Sequence, residues 1–208
     1  MDELRNAAPI TLEGRGGTLL LVMDNEQKRM LQRYGHIACM DATYKVVSWG
    51  LPFFMLTVVD EHRKSFPVAY FMISHECKES IAEVLLYIRL LVPGWKPNAL
   101  ILDKDDAEIL ACKRVFPNAL IILCEFHVKQ AWLRWLRTGT HGIPKDKQRV
   151  LYKYMNDIMK STSVPQASYK VSEKISIAST SHSSANIFCA LFVMLFTPML
   201  FIPRHDMT

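Results

Sequence analysis

The sequence predicts an α/β fold built on one mixed β-sheet. Short apolar runs rich in β-branched and aromatic residues recur between residues 18 and 123. Three of these runs follow one another with only turn-like connections, whereas the later ones are separated by segments of helical period. Half of the 208 residues are apolar, enough for one good-sized core and a small appendage.

The elements follow in order. Residues 1–17 are polar and end in Gly14-Arg-Gly-Gly17, which reads as a flexible lead-in. Leu19–Met23 is a short apolar run, and Asn25–Tyr34 has helical polarity stopped by Gly35. Ile37–Tyr44 is predicted as a strand, Ser48-Trp-Gly-Leu-Pro52 as a turn and Phe53–Val59 as a second strand. The polar connection Asp60–Ser65 leads to a third, Pro67–Ile73, so the three form an antiparallel meander. Ser80-x-x-Glu83 has capping-box spacing, and Ile81, Val84, Leu85, Ile88 and Val92 make one apolar helical face that Pro93-Gly94 terminates. Ala99–Leu102 is a strand, Asp105–Val115 a helix, Asn118–Leu123 a strand and Phe126–Leu136 a helix. The order β-β-β-α-β-α-β-α is that of the ribonuclease-H-like fold, whose first and fourth strands lie side by side.

That adjacency matters because Asp41 and Asp103 each close one of those two apolar runs. An acid buried at the end of a hydrophobic strand is costly unless something cationic lies against it. Two such acids side by side repel each other unless divalent cations neutralise them. Mg²⁺ ions held by such a pair can activate a water and stabilise a leaving oxygen in phosphodiester chemistry. The bland alternative is a pair of strand-end acids hydrogen-bonded to backbone amides. Asp105 and Asp106, at a helix start with Asp105-x-x-Glu108 spacing, are assigned to capping and to the helix dipole.

Cys124-Glu-Phe-His127 stands at the junction of the last strand and its helix. It supplies two ligands where a structural zinc needs four, and the spacing of the remaining Cys and His residues recruits no others. His127 is then either a group orienting a substrate phosphate or a metal-bound group, or an ordinary helix-start histidine. Trp132 and Trp135 are either core or base-stacking surfaces.

Charge and cysteine usage narrow the class. The chain carries 25 basic and 20 acidic residues, a net charge of +5. Lys129, Arg134, Arg137, Lys145, Lys147, Arg149, Lys153 and Lys160 fall in one stretch opposed by Asp146 and Asp157. This stretch suits a polyanion or a solvated helical face. Five cysteines without any Cys-x-x-Cys pair predict reduced thiols in an intracellular protein. Met1-Asp-Glu-Leu-Arg5 has no signal-peptide character.

Six motifs occur in one order: Gln27-Lys-Arg-Met-Leu-Gln-Arg-Tyr-Gly35, Asp41-Ala-Thr-Tyr-Lys45, Gly50-Leu-Pro-Phe-Phe54, Pro67-Val-Ala-Tyr-Phe71, Asp103-Lys-Asp-Asp-Ala-Glu108 and Cys124-Glu-Phe-His127. Together they resemble the Mutator-like element (MULE) transposase domain, including versions domesticated in SWIM zinc-finger proteins. The resemblance covers residues 18–137 and, more weakly, a helical insertion begun at 138–160. It implies a ribonuclease-H-like fold, an Asp-Asp-Glu triad binding Mg²⁺ or Mn²⁺, cutting and joining of DNA ends, and a nuclear location. By motif match Asp41 and Asp103 are the first two acids, and His127 belongs to the family's Cys-x-x-His.

The third acid should lie downstream, beyond the insertion, where the sequence ceases to match. Glu173 is the last glutamate, in a Ser-rich segment of little pattern, and Glu125 is a weak substitute. Residues 161–208 pass from Ser/Thr-rich to apolar, and Ile187–Ile202 is slightly short for a membrane span and broken by Pro198. A membrane tether through 187–202 is the less favoured reading; a truncated or alternatively spliced product is preferred. The expectation is an intact fold with incomplete chemistry, or a non-catalytic module binding nucleic acid or protein.

Overall fold

A computed structural model describes residues 10–14, 17–43, 50–141, 143–161, 165–166, 168–170 and 172. The turn at Ser48-Trp49, Glu173 and the apolar run at 187–202 lie outside them. The chain divides into two compact units, Met1–Cys124 and Glu125–Thr208.

The first unit is an α/β structure on a mixed sheet. Its elements are β1 (Ile10–Gly14), β2 (Gly17–Val22), α1 (Asn25–Tyr34), β3 (Ile37–Thr43), β4 (Phe53–Val59), β5 (Ser65–Ile73), α2 (Lys78–Leu91), β6 (Ala99–Leu102), α3 (Asp106–Val115) and β7 (Leu120–Leu123). Strands lie in the order β1-β2-β5-β4-β3-β6-β7. The five from β1 to β3 pair antiparallel, and β3, β6 and β7 pair parallel. The parallel strands are reached through α2 and α3, because parallel neighbours need a crossover and hairpin loops are too short to make one. The arrangement is compatible with a ribonuclease-H-like fold. One difference concerns the lead-in: Ile10–Gly14 forms a strand paired with β2, from Ile10 opposite Leu21 to Gly14 opposite Gly17. Thr11 and Glu13 alternate with Ile10 and Leu12, a period-2 pattern too short to stand out in the sequence.

The core is built from alternate residues of the central strands. Ala38 and Met40 of β3, Phe54, Leu56 and Val58 of β4, and Phe71 and Ile73 of β5 are buried with Ile81, Val84, Leu85 and Ile88 of α2. The predicted helical face of α2 is therefore the one that packs. Its start differs from the capping-box reading. Cys77 is the N-cap, without a side-chain cap bond, and Ser80 lies inside the first turn, buried with its Oγ 3.2 Å from Cys77 Sγ. Helix α1 has the reciprocal cap instead, with Gln27 N–H donating to Asp24 and Asp24 N–H to Gln27. The Gln27 amide also donates to the carbonyl of Pro67, beside the register shift between β4 and β5. A proline and a bulge coincide there because proline cannot donate to the ladder.

One junction fixes how β3 and β6 enter the sheet. The Trp95 indole N–H donates to Gly35 O at 2.9 Å, and both Asn98 and Ala99 N–H donate to His36 O. A Cβ at Gly35 would come within 2.6 Å of the Trp95 indole nitrogen and collide with the Leu31 carbonyl. Glycine is required there by close approach.

The second unit contains α4 (Glu125–Arg137), a 3-10 turn at Gly139–His141 and α5 (Lys145–Met159). Trp132, Leu136, Ile143, Leu151 and Met155 form its own small core, with Trp135 partly buried against it. Trp132 is thus a core residue. Among the described residues no helix is long and apolar enough to cross a membrane. Four described cysteines are unbridged; Cys112 is buried and Cys39, Cys77 and Cys124 only partly so.

Replacing Gly35 by alanine overpacks the Trp95 junction and is expected to lower the unfolding free energy by ~1–3 kcal/mol in urea titrations. Unchanged stability would show that the junction yields freely.

Candidate metal centre at the end of the sheet

Strands β3, β5, β6 and β7 run in the same direction, so their carboxyl ends share one end of the sheet. Ile37, Ala38 and Cys39 of β3 align with Ala99, Leu100 and Ile101 of β6. Continued by two residues, that offset brings Asp41 level with Asp103. Asp41 lies within β3, opposite Met55 of β4, and Asp103 follows the last residue of β6. The alternation that buries Ala38 and Met40 turns Cys39 and Asp41 to the less buried face.

Both aspartates are only half-buried, contrary to the buried pair the sequence suggested. Strand-end position explains this, since the sheet covers such a side chain on one side only. Asp103 accepts the Lys104 amide at 2.6 Å. Asp105 is the N-cap of α3, accepting from Ala107 and Glu108 amides at 2.8 and 3.0 Å, and Asp106 is exposed in the first turn. Their capping assignment agrees with this geometry.

The buried acid is Glu108. It is 1% exposed, the one charged side chain among the buried described residues. Its Oε2 is shielded from solvent and has no hydrogen-bond partner among the described residues. Burial pushes its carboxyl up to about 8, and the negative charges of Asp105, Asp103, Glu76 and Asp41 push in the same direction. Glu108 was hidden by its capping-box spacing, which suggested a surface role at the helix start. The helical period could have revealed it, because Glu108, Ala111, Cys112 and Val115 recur at i, i+3, i+4 and i+7 and are all buried. Cys112 shares that face, and burial, with the Glu108 charge adding to it, raises its thiol to about 12.

The residues fit a hard divalent cation coordinated in part by water. The acids gathered there, Asp41, Asp103, Asp105, Glu76 and Glu108, offer carboxylate oxygens, which suit Mg²⁺ or Mn²⁺ rather than softer metals. Among the described residues no three His, Cys, Asp or Glu side chains are grouped to hold an ion by themselves. Mg²⁺ keeps several waters and needs only one or two carboxylates, so a two-aspartate site with an orphaned acid nearby meets its requirements.

The remaining predicted residues divide between the units. Cys124 N–H donates to Leu102 O at 2.7 Å, which places Cys124 beside the end of β6. His127 opens α4 in the second unit, its Nδ1 shielded and its ring edge-on to Phe126. Glu125, the weak substitute acid, is exposed and ion-paired with Lys129 one turn later, and that hydrogen bond and charge hold its carboxyl below the usual range. Along α5 and its C-cap, Arg149, Lys153, Asn156 and Lys160 recur at i, i+4, i+7 and i+11 beside a groove also lined by Tyr152 and Asp157. Leu151, Met155 and Ile158 are buried on the same helix.

Residues 37–131 match the family model of the MULE transposase domain. No curated protein matches the chain.

The raised Glu108 carboxyl makes a signed prediction. Folding strengthens proton binding at Glu108, so its stabilising contribution is complete below the ordinary value of 4.5 and is lost as pH rises through about 8. Unfolding free energy should fall across that window by up to ~1.4 kcal/mol per pH unit, and Glu108→Gln should flatten the fall. An identical pH profile for the variant would contradict the assignment.

Proposed function

We propose that this chain, whose residues 37–131 match the family model of the MULE transposase domain, is a transposase-derived, DNA-acting domain of ribonuclease-H-like fold. The observation that carries the reading is the β3–β6 register, which brings Asp41 and Asp103 level at the carboxyl end of two central strands. Asp41 and Asp103 are the residues proposed to hold Mg²⁺ or Mn²⁺. A cation bound there would supply charge neutralisation and activation of a water or hydroxyl against a phosphodiester. His127 is proposed to orient a phosphate of the substrate.

DNA is the proposed partner, engaged through the basic segment 129–160, and the proposed location is the nucleus. Lys129, Arg134 and Arg137 on α4 and Lys145, Lys147, Arg149, Lys153 and Lys160 on or beside α5 supply charges that neutralise phosphates without reading bases. By the family resemblance full strand transfer needs a third acid, for which Glu125, exposed and paired with Lys129, is a weak candidate. The fold with its metal pair, short of complete catalysis, is therefore the reading we favour. A second reading, a domesticated binding module without chemistry, is supported by the α4–α5 pair having its own core and by Arg149, Lys153 and Lys160 lining a groove along α5.

Two measurements test this. Mn²⁺ should raise the melting temperature of the wild-type chain, and Asp41→Asn or Asp103→Asn should each abolish the rise. Equal stabilisation of all three proteins would refute the metal pair and leave the second reading. Duplex DNA affinity should fall steeply with salt, and each of Arg149→Ala, Lys153→Ala and Lys160→Ala should reduce the log–log slope by ~1. A flat salt dependence would exclude phosphate contacts by this segment.

A further inference from the structure

Glu108 presents a problem that capping and core packing leave unsolved. An isolated ionised carboxyl in a protein interior costs several kcal/mol, and even a neutral one needs its hydrogen bonds satisfied. The other two buried polar side chains among the described residues are both engaged: Gln27 donates to Pro67 O and caps α1, and Ser80 contacts Cys77 Sγ. Among the described residues Glu108 Oε2 has no hydrogen-bond partner, and it is shielded from solvent. Among the described residues, the charges that raise this carboxyl are negative, coming from the end of β3, the β5–α2 connection, the end of β6 and the N-cap of α3. Those four segments meet where the carboxyl ends of β3, β5 and β6 lie together. A buried acid surrounded by acids would be readily replaced by a hydrophobic residue of similar volume if only packing were at stake.

We infer that Glu108 is a positioning residue of the Asp41–Asp103 cation site, its buried Oε2 accepting a hydrogen bond from a water carried by the bound divalent cation. This rests on the metal-pair reading above and extends it with an acid from α3. The contact runs through water because no three acidic, histidine or cysteine side chains among the described residues are grouped to ligate one ion directly. A hydrated Mg²⁺ presents strongly polarised water hydrogens, and an outer-sphere carboxylate fixes their orientation. The bound cation also relieves the repulsion among Asp41, Asp103 and Glu108, so the arrangement is costly without metal and stabilised with it.

The test compares Mn²⁺ binding by the full chain and its variants, using titration calorimetry and the electron paramagnetic resonance signal of free Mn²⁺. Glu108→Met removes the acceptor while filling the volume. The expected result is a variant that melts no lower than wild type without metal yet binds Mn²⁺ ~10–100-fold more weakly, the range typical for loss of an outer-shell partner. Asp103→Asn should eliminate the site. If Glu108→Met binds as tightly as wild type while Asp103→Asn does not bind, the role of Glu108 is overturned and the metal pair stands. If Asp103→Asn binds like wild type, both fall. A measurement on the unmodified protein covers a Glu108→Met chain that does not fold. Mg²⁺ should shift the side-chain carboxyl ¹³C resonance of Glu108 together with those of Asp41 and Asp103. A Glu108 resonance that stays in place while the aspartates move overturns the inference.

Discussion

The parallel pairing of β3 with β6 is the constraint on which the rest of the first unit depends. Parallel neighbours cannot be joined by a hairpin, so α2 must cross the sheet between them, and the crossover sets the position of β6 relative to β3. The register is anchored at the entry to both strands, where His36 O accepts from Asn98 and Ala99 and Trp95 donates to Gly35 O. A slip of one residue would turn the core residues Leu100 and Leu102 to the opposite face, so burial and the anchored junction enforce the same alignment. Everything at the carboxyl end follows: Asp41 and Asp103 come level, Asp105 starts α3, and Glu108 is carried on the first turn of that helix.

Much of this was legible in the sequence because period and punctuation agree. Asn25–Tyr34, Phe53–Val59 and Ala99–Leu102 have the limits that their patterns predict. The apolar face of α2 packs as its spacing requires. Local signals misled where two explanations fit one spacing. Ser80-x-x-Glu83 resembles a cap, yet the helix begins earlier at Lys78, and Ser80 is buried against Cys77. Asp105-x-x-Glu108 is half a cap, with Asp105 serving the amides and Glu108 turned inward. The β1 strand was missed because its pattern is brief and ends among glycines. The relation of aspartate to burial was inverted: the strand-end acids are half-exposed, and the helical acid is the costly one.

Glu108 connects stability with function. Its raised carboxyl opposes folding at neutral and alkaline pH, and a nonpolar residue on that face of α3 would remove the penalty. A buried acid whose Oε2 has no partner among the described residues, within electrostatic reach of two aspartates, is understandable when a cation is expected at that site. The second unit follows a separate logic, with a small aromatic and aliphatic core supporting a basic helical face. The chain thus combines a sheet-end acidic centre suited to a divalent cation with a basic surface suited to a polyanion, the two complementary requirements of phosphodiester chemistry.

The most direct test of the central claim is anomalous diffraction at the manganese edge from crystals of the chain grown with Mn²⁺. The account predicts an anomalous peak between the Asp41 and Asp103 carboxylates at the carboxyl end of β3 and β6. Manganese bound only elsewhere, with the two aspartates held by backbone amides alone, would contradict it.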